Sequence, residues 1–86
     1  MILYEMKVTV TFYSYFRDLA KCESMTETVA AGATIADLLA KVFERAPQMK
    51  AMQKSMLVAV GVEYQTRDYV LQDGDEVSLF PPVQGG

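Results

Sequence analysis

Residues 31–47 read AGATIADLLAKVFERAP, and this stretch decides the fold. Ile35, Leu38, Leu39, Val42 and Phe43 fall at i, i+3, i+4, i+7 and i+8, which makes one apolar stripe along a helix. Thr34 is a good N-cap residue. Asp37, three positions on, completes a capping box where the helix dipole favours negative charge. Pro47 predicts that the helix stops by Arg45 or Ala46. A helix with one stripe must bury it, so the rest of the chain has to supply the opposing layer.

That layer is legible on both sides of the helix. Upstream, MKVTVTFY (6–13) alternates strictly, with Met6, Val8, Val10 and Phe12 on one face and Lys7, Thr9, Thr11 and Tyr13 on the other. This is the period of a half-covered strand. SYFRDLAKCE reads as a loop with one helical turn, and SMTETVA (24–30) as a second strand paired with the first. Downstream, QMKAMQKS is a polar connection with room for a short turn of helix. MLVAVGVEYQ is almost continuously apolar, as a strand in mid-sheet would be. Gly61 marks the turn that brings VEYQTRDYV back beside it. In LQDGDEVSLF, Asp-Gly between apolar runs signals a hairpin turn before a last strand. The order strand, strand, helix, strand, short strand, strand predicts an α+β fold of the ubiquitin-like β-grasp kind. Its mixed sheet of four to five strands packs on one main helix.

Composition narrows the function. With 86 residues, 51% of them hydrophobic and 22% charged, the chain is one foldable domain and too apolar for disorder. A net charge of −3 argues against nucleic-acid binding through a basic surface. Asp68, Asp73, Asp75 and Glu76 lie in a segment with no Lys or Arg, read either as a solvated face or as steering towards a basic partner. No apolar run approaches the ~20 residues that span a bilayer, and Glu5 interrupts the opening MILYEMK, so neither membrane insertion nor targeting is expected. One cysteine, Cys22, permits no internal disulfide and suits a cytoplasmic protein.

The chain has no histidine. That absence removes Ser-His-Asp and Cys-His catalysis and most transition-metal sites. Cys22, with no imidazole to ionise it, reads as a partly buried structural thiol. DGDE (73–76) lacks the alternating ligands of a calcium loop. No metal and no cofactor is expected on this chain.

What is left is the end, LFPPVQGG. Residues 1–80 are expected to form the folded domain and 81–86 a flexible tail. If Val77 and Leu79 face the helix, Phe80 shares the opposite face with Glu76 and Ser78. It is then either a rim aromatic of its own domain or an anchor for a partner. Pro81 and Pro82 cannot donate to a sheet and favour a stiff, extended exit. Val83 adds an apolar grip. Gln84, Gly85 and Gly86 reach about 10 Å when stretched. Two residues without Cβ atoms can thread a narrow channel and present the carboxylate of Gly86 at its end. Activated as an acyl-adenylate by a partner, that carboxylate could take up sulfur or form an amide.

DGDEVSLFPPVQGG, KVTVTFYSYFRDL, TIADLLAKV and LVAVGVEY together resemble the small subunits of molybdopterin synthase, a family of ubiquitin-like sulfur-carrier proteins. The resemblance covers nearly the whole chain. It implies that an adenylating enzyme uses ATP to activate Gly86, which becomes a thiocarboxylate. The tail of Pro81, Pro82, Val83, Gln84 and Gly85 then enters the large synthase subunit and delivers sulfur to a pterin precursor for the molybdenum cofactor. Phe80 matches a family position at the contact with the large subunit, and Tyr13 falls near a second aromatic one. Relatives carry VNGE where this chain has VGVE. Two alternatives share parts of this reading. One is the thiamin-pathway sulfur carrier, whose relatives lack the double proline. The other is a ubiquitin-like modifier or plain binding module, and a binding module would work without the terminal glycines.

Overall fold

The computed structural model describes residues 5–82. Two helices and five strands follow one another as β1 (Glu5–Phe12), α1 (Phe16–Ala20), β2 (Ser24–Ala30), α2 (Ile35–Arg45), β3 (Leu57–Val60), β4 (Glu63–Tyr64) and β5 (Glu76–Phe80). A 3₁₀ helix, Pro47–Met52, lies between α2 and β3. The strands form one mixed sheet in the order β2-β1-β5-β3-β4. β1 pairs antiparallel with β2 and parallel with β5, while β3 is antiparallel to both β5 and β4. The two segments furthest apart in sequence therefore lie side by side in the middle of the sheet.

α2 forms as its sequence predicts. Asp37 N donates to Thr34 Oγ1, and Thr34 N donates to Asp37 Oδ2 at 2.9 Å, so both legs of the capping box are made. The N–H groups of Ile35 and Ala36, which have no partner within the helix, donate to the carbonyls of Tyr69 and Arg67. That bond pair fastens the loop after β4 across the start of the helix. Ile35, Leu38, Leu39 and Val42 are buried against Val8, Val10 and Phe12 of β1 and Val77 and Leu79 of β5, while Phe43 packs partly exposed at the border. The alternation in β1 holds: its polar residues line the face away from the helix.

Two parts of the core come from outside the strands and α2. Met49, in the 3₁₀ helix, is fully buried, and so is Leu71 in the loop before β5. Arg67 supports this region by donating from Nη2 to the carbonyls of Gln53 and Met56, each at 2.8 Å.

The Asp-Gly turn is not a hairpin. It docks on the start of β1: Lys7 N donates to Asp73 Oδ1 at 2.9 Å, and Gly74 N donates to the Lys7 carbonyl at 2.8 Å. Asp-Gly supplied the positive φ of Gly74, 85°, but a turn residue fixes only local geometry and not which strands become neighbours. The chain does reverse tightly at Gly61–Val62. Gly61 has φ 62° and Val62 is not in the left-handed region, the pattern of a two-residue turn with glycine in first place. Val62 projects from the tip of this turn, 99% exposed.

Candidate functional site

The face of the sheet away from α2 carries the candidate site. Residues paired across neighbouring strands share a face. Leu57 of β3 pairs with Phe80 of β5, and the row Thr11, Ser78, Ala59, Tyr64 crosses four strands. Phe80 is therefore surrounded on an otherwise polar face by apolar neighbours from three other segments. Its ring stacks on Tyr13, with centroids 4.6 Å apart and planes 15° apart. Tyr64 approaches the same ring edge-on at 6.3 Å and 66°.

Tyr13 is held there by its backbone, whose N–H donates to the Leu79 carbonyl and prolongs the β1–β5 pairing by one residue. Ser14 then takes φ 57°, a left-handed conformation uncommon outside glycine, and the chain reverses into α1. Tyr15 follows, and its hydroxyl donates to Met52 Sδ at 3.1 Å, joining this loop to the 3₁₀ helix. Tyr13, Tyr15, Leu57, Tyr64 and Phe80 line one groove, and Pro81 and Pro82 complete it. Tyr13, Tyr15, Leu57 and Tyr64 are all exposed, Tyr64 at 69%. Large apolar side chains thus gather at one spot, beside prolines that end the sheet.

Phe80 and Tyr13 thus lie together, and Pro81 and Pro82 leave directly from them. Val83, Gln84, Gly85 and Gly86 lie outside the described residues. Tyr15, Leu57 and Tyr64 were not singled out in the sequence. A two-residue turn at Gly61 sets Tyr64 opposite Ala59, but only the pairing of β3 with β5 brings Tyr64 and Leu57 onto the face of Phe80.

The acidic segment is placed at the other end of β5. Four strand steps of about 3.3 Å separate Glu76 from Phe80. Asp73 accepts from Lys7 N, Asp75 accepts from Gln72 N at 2.8 Å and from the Tyr69 hydroxyl at 3.3 Å, and Asp68 accepts from the Thr66 hydroxyl. These carboxylates organise the loop. Tyr69 is half-buried, and partial desolvation, followed by the charge and hydrogen bond of Asp75, raises its phenol above the ordinary value of 10.0. Among the described residues no cluster of His, Cys, Asp or Glu is arranged to hold a metal ion, and no helix is long and apolar enough to cross a membrane.

Comparison with known proteins agrees with this fold. The profile of the ThiS family matches residues 10–86. A molybdopterin synthase sulfur carrier subunit from Chlamydomonas reinhardtii is 32% identical over 84 residues, covering 94% of this chain and all of that protein. Among solved structures, a putative molybdopterin converting factor subunit 1 from Pyrococcus furiosus superposes with a TM-score of 0.82 at 30% identity, covering 91% of this chain and 99% of that one. A complex of subunits 1 and 2 of the molybdopterin-converting factor from Helicobacter pylori includes a chain matching at TM-score 0.66 and 26% identity, with 94% and 100% covered. The chain belongs to the ThiS family, with the ubiquitin-like β-grasp fold and its sequence relatives among the molybdopterin synthase sulfur carrier subunits.

Proposed function

We propose that this chain is the sulfur-carrying subunit of molybdopterin synthase. The carboxylate of Gly86 attacks the α-phosphorus of ATP on an activating enzyme, and pyrophosphate leaves. A hydrosulfide equivalent displaces AMP from the acyl-adenylate and leaves a thiocarboxylate. Docked on the large subunit, the tail passes that sulfur to a pterin precursor, and water restores the carboxylate. The chain itself binds no cofactor, acts in the cytoplasm, and leaves acid–base work to its partners.

The observation that carries this reading is the exit of Pro81–Pro82 from a groove of exposed aromatics centred on Phe80. A surface of that kind holds a partner while the stiff prolines direct the terminal residues into it. The Helicobacter pylori relative, whose solved form is a complex of the two converting-factor subunits, supports a large-subunit partner. The curated relatives, all sulfur carrier subunits of molybdopterin synthase, favour the pterin acceptor over a thiamin precursor.

Intact mass spectrometry of the chain purified from its host tests the chemistry. Replacement of one oxygen by sulfur is expected, and deletion of Gly86 is expected to abolish sulfur transfer while leaving the circular dichroism spectrum unchanged. Sulfur transfer that survives the deletion overturns the reading. A mass increase equal to a second protein would show a modifier instead.

A further inference from the structure

Glu27 sits where an acidic side chain is costly. β2 is the edge of the sheet, and Glu27 pairs with Val8, so its side chain points to the helix side with Met25 and Val29. It is 5% exposed, in a row of apolar residues. Arg45, from the last turn of α2, brings Nε to 2.9 Å from Glu27 Oε2 while staying largely in solvent. The Arg45 N–H is not aligned to donate, and among the described residues Oε2 has no hydrogen-bond partner. A buried carboxylate held by charge alone to a solvated partner is weak support for stability, because an apolar residue of the same size often serves as well or better. Some other property has to account for a carboxylate here.

The edge supplies it. Phe12 N donates to the Glu23 carbonyl, so the antiparallel alternation aims the backbone of Met25, Glu27 and Val29 at β1 and that of Ser24, Thr26, Thr28 and Ala30 outward. Ser24, Thr26 and Thr28 thus present a row of edge donors and acceptors, a template for another strand, while the Ala30 carbonyl at its end is taken by Ala33 N. The opposite edge, β4, has two residues and offers no such template. An added strand beside β2 would extend the sheet past Glu27 and towards the Arg45 side chain, which is 61% exposed and alone keeps the pair in contact with water. It would take solvent from the Arg45 charge without giving the unpartnered Glu27 oxygen, already shielded from water, a donor.

We propose that Glu27, with Arg45, guards the β2 edge against pairing with the β2 edge of a second copy of this chain. Association is thereby confined to the aromatic face around Phe80. A carrier that must enter its partner one molecule at a time gains from this restriction.

Sedimentation of the full chain, up to roughly 1 mM where weak contacts become visible, tests the guard. Wild type is expected to stay monomeric. Glu27→Leu and Glu27→Gln, each shown to be folded by circular dichroism, are expected to self-associate at least about tenfold more tightly, Leu more than Gln. Thr26→Pro added to either variant removes an outward N–H without breaking a bond to β1, and is expected to restore the monomer. If Glu27→Leu does not fold, Glu27→Gln decides. A folded Glu27 variant that stays monomeric overturns the proposal, and so does an association that Thr26→Pro fails to reverse. Neither readout depends on sulfur transfer.

Discussion

Tyr13 and Phe80 stack at 4.6 Å, the last residue of the β1 ladder against the last residue of β5. The contact joins strands from opposite ends of the sequence at the point where the tail departs. Tyr64 completes the cluster by meeting the Phe80 ring at a steep angle of 66°. Stacked aromatic pairs contribute about 0.5–1.5 kcal/mol beyond the area they bury. A double-mutant cycle of Tyr13→Ala and Phe80→Ala, read by chemical denaturation, should return a coupling in that range. Additive losses would mean that the rings are neighbours without being partners.

The same residue should matter more for docking than for folding. Phe80→Ala removes a half-buried ring from the rim, so a stability loss near the ordinary 1 kcal/mol is expected. As an interface anchor it should cost about 2 kcal/mol or more of affinity for the large subunit, roughly thirtyfold. Titration calorimetry beside a thermal melt separates the two effects. Unchanged affinity with a sharply lowered melting point would make Phe80 a structural residue only.

Gly61 opens the turn between β3 and β4 in a left-handed conformation. Its φ of 62° is the requirement, since a Cβ built there meets nothing within 4 Å. Gly61→Val should therefore destabilise by at least about 1–2 kcal/mol through backbone strain alone, while Gly61→Asn should cost a fraction of that. Equal losses for the two variants, measured by urea unfolding, would show that space and not conformation sets the preference.

What the sequence made legible was periodic and local. The stripe and capping box of α2, the alternation of β1 and the turn at Gly61 each depend on residues close in sequence, where spacing and chemistry determine the outcome. Long-range pairing was harder to read. Asp73-Gly74 looked like a hairpin because turn chemistry says nothing about which strand receives the chain, and here the receiver was Lys7 at the far end of the sequence. Met49 lies in a polar connection and Leu71 beside an acidic turn, outside any period, so spacing could not reveal that tertiary packing buries them. Phe80 was recognisable by its parity with Ser78 and Glu76. Its neighbours Tyr64 and Leu57 required the strand register, which only the β3 pairings with β4 and β5 provide.

Capping of α2 offers a direct measure of local control. Thr34→Ala removes the acceptor for Asp37 N and should cost about 1 kcal/mol, within the usual range of 0.5–2. Asp37→Ala removes the reciprocal bond to Thr34 N. Because the two side chains act as one unit, the double variant should lose less than the sum of the singles. Full additivity in denaturant unfolding would contradict the reciprocal box.

Alkaline pH should loosen the loop that ties β1 to the start of α2. Partial desolvation raises the Tyr69 phenol above 10.0, and Asp75 adds to the shift by its charge and by accepting the phenol proton. Folding favours the neutral phenol, so its contribution is complete below the unfolded value and is lost as pH rises through the higher folded value. Tyr69→Phe deletes that titration along with the hydrogen bond. Its melting temperature should start lower than wild type at neutral pH, and the gap should narrow as pH climbs beyond about 10. Thermal melts of both proteins over that range decide the matter. A gap that stays constant would mean that Tyr69 ionises alike in the folded and unfolded chain.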